Sequence, residues 1–183
     1  VWDGKAGASM VETHGLHRSR LSGILLDGRG RAGTGLTHLP SRFETSNRLQ
    51  TMGFVDFAQY GLAVPDIDGL EAAAEAYYQH CLFSDCQEGG IWLEGFNVYN
   101  HVFTGCEFRR CGYGIYYDFA QGSVWNSHFE QNETDVYAKG AQGFSFRRCT
   151  SHGSGRFVHQ NRVGTMTIQN CHIAAWGKDG AIL

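Results

Sequence analysis

Proline is almost missing from this chain, with two residues among 183, whereas glycine reaches 25. That balance suits a chain of tight corners and close backbone approaches, where positive φ is needed. No apolar run approaches membrane-spanning length, and no secretory signal peptide is present. No sign of charge dominates: the formal net charge is −3 and the isoelectric point lies near 6.3, which argues against a nucleic-acid partner. There is no interior linker and no low-complexity tract, so residues 1–183 read as a single domain. A Walker loop, a nucleophile elbow, a His-Glu-x-x-His helix and a paired Cys-x-x-Cys zinc signature are all missing. The Gly-rich run Asp27-Gly28-Arg29-Gly30 reads as a chain corner, not as a phosphate cradle.

What is present is a ladder that repeats about every 22 residues. One column holds Phe54, Phe83, Phe108, Phe129, Ser151 and Ile173. Two positions upstream stand Met52, Cys81, Cys106, Ser127, Cys149 and Cys171. Five upstream stand Leu49, Tyr78, Phe103, Val124, Phe146 and Ile168, and three downstream stand Phe57, Cys86, Cys111, Asn132, Ser154 and Trp176. A third strand follows with Leu62, Ile91, Ile115, Val136, Phe157 and Ile182. An earlier turn, Leu21, Ile24, Leu26 and Leu36, fits the same template. The runs are short, alternate, and are broken by Gly, Asn, Asp or Ser, so they are strands. A unit this short buries its apolar side only by stacking on copies of itself. The expected fold is all-β: a right-handed parallel β-helix of about seven coils, the hand following from the general rule for parallel crossovers. Val1 to Gly15 reads as part of an earlier coil, and Ala181-Ile182-Leu183 stops within a core-facing strand. The sequence therefore reads as a segment of a longer solenoid, and any leader would lie outside it.

The phrase Ile24-Leu25-Leu26-Asp27-Gly28, followed by rungs of the type Cys-x-Phe-x-x-Cys-x-x-Gly-Ile, resembles the pectin-lyase-like superfamily of β-helix proteins over residues 15–183. The resemblance implies a secreted or surface protein, most often a polysaccharide lyase, hydrolase or epimerase, with some non-catalytic phage and adhesin members. The Asp-Pro-His-Asp signature of the alginate epimerases is not found. Nor is the polygalacturonase series of Asn-Thr-Asp, Asp-Asp, Gly-His-Gly and Arg-Ile-Lys. No catalytic residue carries over by position.

The six cysteines fall in two inward columns and behave as small apolar side chains. Their parallel Cβ vectors suit disulfides poorly, and inward columns offer no exposed metal-ligand set.

Alternation fixes which residues face solvent. With Ile91, Ile115 and Val136 inward, Trp92, Tyr116 and Tyr137 form an outward aromatic stack, and Glu94, Asp118 and Lys139 stack outward beside them. Sugar rings lay their apolar faces on aromatic side chains, and polar groups fix their orientation. Neighbouring Glu94 and Asp118 repel, so one carboxyl is expected to hold its proton and act as a general acid. Lys139 would neutralise a uronate or act as the base of a lyase. The bland alternative is a solvated ladder of pairing charges.

The link after the third strand is long in the early units. Residues 65–76 read as an insertion with a short helix over Glu71-Ala72-Ala73-Ala74-Glu75-Ala76, walling one side of a groove. Asp66 and Asp68 would contribute acid there, or act as turn and cap residues. A second outward strip holds Glu107, His128, Thr150 and His172 beside Arg109, Glu130 and His152. There Arg109 and His128 are candidate substrate contacts, against the alternative of a salt-bridge strip. Thr51, His80, Asn126 and Asn170 share a corner column and read as turn-stabilising residues.

These features lead to an expected extracellular or cell-surface protein that cleaves a polysaccharide, with hydrolysis preferred to β-elimination. The partner is a glycan, without nucleic acid or membrane insertion. No cofactor or metal is expected, since no multi-carboxylate calcium cage is evident. The rival expectation is a non-catalytic glycan-binding adhesin or a tailspike-like structural module.

Overall fold

Short alternating runs separated by left-handed residues can close a coil only if every coil turns at the same positions. In a computed structural model, which describes residues 4–41, 43–66, 72–95, 98–118, 121–140, 143–161 and 164–174, they do so. The chain stacks into three parallel seven-stranded sheets, each strand pairing with its counterpart one coil away. Sheet A holds Ser9–His14, Thr34–Leu39, Tyr60–Val64, Gly89–Leu93, Tyr113–Tyr117, Thr134–Ala138 and Arg156–Gln160. Sheet B runs from Arg20–Ser22 through Arg48–Gln50, Tyr77–Gln79, His101–Thr104, Gln121–Trp125 and Gly143–Arg147 to Thr165–Gln169. Sheet C runs from Leu25–Asp27 through Gly53–Val55, Leu82–Ser84, Glu107–Arg109, His128–Glu130 and Thr150–His152 to His172–Ala174.

The corner between sheets B and C is two residues long in every described coil, a left-handed residue followed by one that is buried at Met52, Cys81, Cys106, Ser127 and Cys149. The left-handed position is taken by Gly23, Thr51, His80, Gly105, Asn126, Arg148 and Asn170, with φ between 50° and 72°. The corner between sheets C and A opens the same way at Asp56, Asp85, Arg110, Gln131 and Gly153. A non-Gly residue tolerates this conformation when its neighbours over-determine it, and here its N–H bonds the carbonyl of the next coil, as in Asp56 to Ser84 and Asn126 to Arg147.

The expected columns pair in register: Leu26, Phe54, Phe83, Phe108, Phe129, Ser151 and Ile173. Their rings stack coil upon coil, with centroids 4.9 Å apart for Phe54 and Phe83, 5.1 Å for Phe83 and Phe108, and 5.0 Å for Phe108 and Phe129. Each ring is fully buried, and such a pair adds about 0.5–1.5 kcal/mol beyond area burial. The cysteines are free thiols in the same core, and burial pushes the Cys149 thiol up to about 11, which keeps it protonated and inert.

Two expectations need correction. Val158, not Phe157, pairs with Val136, because each sheet A strand turns two consecutive residues inward just here and both are buried. Ala72–Ala74 is a strand, not part of a helix: it pairs with Phe43–Thr45 in a small two-stranded sheet, a partner that overrides the helical propensity of alanine. Residues 67–71, Trp176 and Ile182 lie outside the described residues. Among the described residues no helix is long and apolar enough to cross a membrane.

Candidate functional site

Sheet A places its outward residues by register alone. Trp92 pairs with Tyr116, Tyr116 with Tyr137, and Tyr137 with His159. All four side chains are half-buried. The aromatics are not one continuous stack, however. Trp92 turns to Tyr60, with centroids 5.2 Å apart and planes 21° apart. Tyr116 stacks on Tyr137 at 5.2 Å, and Tyr113 meets both edge-on or tilted, at 5.8 and 5.4 Å. Two aromatic platforms therefore sit on neighbouring coils. Sequence reasoning missed Tyr60 and Tyr113 because each stands two residues before an inward Leu62 or Ile115, a spacing that alternation puts on the inward face. They face outward because Gly61 and Gly114 are turned inward as well.

One position beyond the pairing strands come Glu94, Asp118 and Lys139. Each donates its backbone N–H to the adjacent coil, Glu94 to Val64, Asp118 to Leu93 and Lys139 to Tyr117, so the three lie on successive coils. Glu94 is half-buried, and burial raises its carboxyl above the usual range. The Lys139 charge opposes that rise, and the charges of Asp118 and Asp66 reinforce it. Asp118 departs from expectation: it is 4 % exposed and does not face solvent. Lys139, about half exposed, folds over it with Nζ 2.9 Å from Oδ2 and compensates the charge that burial would otherwise leave unpaired. Oδ1 of Asp118 is buried without a hydrogen-bond partner among the described residues. The same hydrogen bond to Asp118 raises Lys139 further above the ordinary lysine range. A lysine held so firmly protonated is a counter-ion and a poor general base.

Arg109 and His128 are not brought to this site. They lie on sheet C, where the Arg109 guanidinium contacts Glu107 at 2.5 Å and Glu130 at 3.6 Å. Nδ1 of His128 is 2.6 Å from the Thr150 hydroxyl. Asp66 stays near the site, its side chain against Gly95, whereas Asp68 lies outside the described residues.

Sequence reasoning also missed a polar relay inside the first coils. The buried Glu44 carboxylate accepts from the backbone N–H of Ser41 at 2.6 Å and sits 2.7 Å from Nε2 of His38, whose Nδ1 lies 3.0 Å from the Thr13 hydroxyl. Thr13 and His38 pair in register on sheet A, but residue type is not kept from one to the other and Glu44 lies off the three main sheets, so periodicity gave no signal for them. Facing the coil interior, the relay fixes the His38 ring between two partners and satisfies polar groups that burial would otherwise leave unpaired. Among the described residues no group of three or more His, Cys, Asp or Glu side chains is placed to hold a metal ion.

Residues 56–183 match the family model described as the right handed beta helix region. No curated protein and no solved structure matches the chain.

Proposed function

The chain belongs to the right-handed β-helix family, and from that premise we propose that it is an extracellular carbohydrate-active protein that holds a polysaccharide on sheet A and hydrolyses it. The observation that carries this reading is Glu94, a half-buried carboxyl whose pKa is raised by burial, set beside the Asp118–Lys139 pair and next to two aromatic platforms. A sugar seated on Trp92 or Tyr116 would present its glycosidic oxygen to Glu94, which donates the proton to the leaving group. Asp118 supplies the second carboxylate through Oδ1, the oxygen not committed to Lys139, once the Lys139 side chain swings aside. The protonated state of Lys139 disfavours β-elimination, which would need a neutral amine as base.

The burial of Asp118 favours one other reading, a glycan-binding adhesin or tailspike-like module without turnover. Incubation with neutral and acidic polysaccharides, followed for new reducing ends and for ultraviolet absorbance from unsaturated sugars, separates the cases. Reducing ends without absorbance identify a hydrolase, and both signals together identify a lyase. Glu94→Gln is expected to cut turnover by about 10²–10⁴-fold while sparing binding. Trp92→Ala is expected to weaken binding in either case. Glycan binding without any turnover would leave the adhesin reading standing. Activity should fall as pH rises through the raised pKa of Glu94. Because the Lys139 charge lowers that pKa, Lys139→Met should move the falling limb to higher pH; a limb that stays in place would remove Glu94 from the role of acid.

A further inference from the structure

The outer face of sheet B carries a second surface of different chemistry. Its outward column runs in register through Arg20, Arg48, Tyr77, Val102, Ser123, Ser145 and Thr167. Across the later coils the face sinks into a groove of about 430 Å³, whose wall begins at Tyr77 and is lined by Asn100, Gln121, Ser123, Ser145 and Thr167. Among the described residues, Glu75 is the only charged one lining it. The lining is mixed, with hydroxyls and amides set beside Val102 and Phe144, and Ser145 already donates to Ser123 at 3.0 Å.

At the head of the groove stand two exposed arginines on adjacent strands, paired at Arg20 and Arg48, with backbones about 4.8 Å apart. Like charges directly opposite on paired strands repel. Neither arginine makes an ion pair among the described residues. The Arg48 guanidinium instead lies over the Tyr77 ring, 5.5 Å from its centroid. A guanidinium held on an aromatic face keeps its N–H edge free for bidentate binding of a carboxylate or sulfate. An anion bridging Arg20 and Arg48 would convert their repulsion into attraction, and the chain bearing it would continue past Tyr77 into a trough of hydrogen-bonding groups.

We propose that the outer face of sheet B is a second ligand site that binds an acidic polysaccharide, its anionic substituent on Arg20 and Arg48 and its following sugar units in the Tyr77-to-Thr167 groove. The site does not depend on turnover at sheet A. With both faces occupied, a polysaccharide-cleaving protein would stay tethered to its substrate between cleavage events.

The test is equilibrium binding by the full chain of three oligosaccharides of equal length: a polyuronate, a sulfated glycan and a neutral glycan. The proposal expects the polyuronate, the sulfated glycan or both to bind more tightly than the neutral one, and to weaken as salt rises. The R20Q/R48Q variant should lose about tenfold or more of that affinity, as befits charge-assisted hydrogen bonds. G143F should weaken the same binding by filling the groove: a Cβ at Gly143 meets nothing closer than the Thr165 carbonyl oxygen at 3.5 Å, so the fold tolerates it. Trp92→Ala on sheet A should leave the salt-sensitive component intact. Preference for the sulfated over the carboxylated probe, or the reverse, names the anion. Equal binding of the neutral glycan, or acidic-glycan binding untouched by both sheet B variants with thermal melting unchanged, overturns the proposal. Loss through Trp92→Ala alone would assign the binding to sheet A instead.

Discussion

The core solves one packing problem in two ways. From Phe54 to Phe129 the inward slot of sheet C holds a stacked phenylalanine, and the facing slot of sheet A holds Gly61, Gly90 and Gly114. Glycine is needed there: a Cβ at Gly90 would lie 2.8 Å from the Gly114 carbonyl oxygen and 2.9 Å from Cβ of Phe83. One coil later the ring is replaced by Ser151 and the glycine by Asp135, which is fully buried. Asp135 takes hydrogen bonds from Ser151, Ser154 and, at 2.9 Å, Nδ2 of Asn132. The lost ring is then refilled from another strand, as Phe157 packs 5.0 Å from Phe146. The stack thus conserves volume, not residue type: an apolar ladder indifferent to pH passes into a polar cluster that is not.

That contrast can be broken from either side. The largest effect is expected from Phe108→Ala, which removes two of the three stacked contacts and should cost about 3–5 kcal/mol in denaturant unfolding. A loss below about 1 kcal/mol would mean that the coils on either side close over the gap.

Next comes the pH response of the polar cluster. Burial raises Asp135 to about 6, above its unfolded value of about 3.9. The native state therefore binds the proton more tightly, and this contribution is fully present below about pH 4 and lost as pH rises through about 6. It amounts to about 2–3 kcal/mol, seen as the difference between wild type and Asp135→Asn across that window. Parallel pH profiles for the two proteins would show that Asn132, Ser151 and Ser154 hold the carboxylate as readily as the acid. The smallest effect belongs to Cys106→Val. If the cysteines only fill space, it should shift stability by less than about 1.5 kcal/mol and leave thiol-oxidant sensitivity of the melt unchanged.

The ladder itself was legible in the sequence because burial repeats. Phe54, Phe83, Phe108 and Phe129 share an environment that recurs, so a single position reports on its neighbours in the stack. What did not recur was hidden. Phe157 and Val158 are both apolar and both buried, and pattern alone could not say which one continues the column of Val136. The strand at Ala72–Ala74 depends on a partner 29 residues away in the chain, beyond the reach of local propensity. At the candidate site, Trp92, Tyr116 and Tyr137 were placed by alternation. The burial of Asp118 was not, because it depends on the Lys139 side chain of the following coil lying across it. Alternation assigns a face to a side chain; it is silent on what later covers that face.

The constant two-residue corner between sheets B and C has a consequence for how such a protein can change. Every coil keeps the same phase at that corner, whatever the length of the segment joining sheet A to sheet B. Length can therefore be added or removed after Val64, Leu93 or Tyr117 without shifting any rung out of step. The molecule divides into a timekeeping edge, where a single inserted residue would throw every later side chain onto the wrong face, and a writable edge, where it would not. The candidate site and the sheet B groove both border the writable edge, so their ligands can be revised coil by coil while the rest of the stack keeps its count.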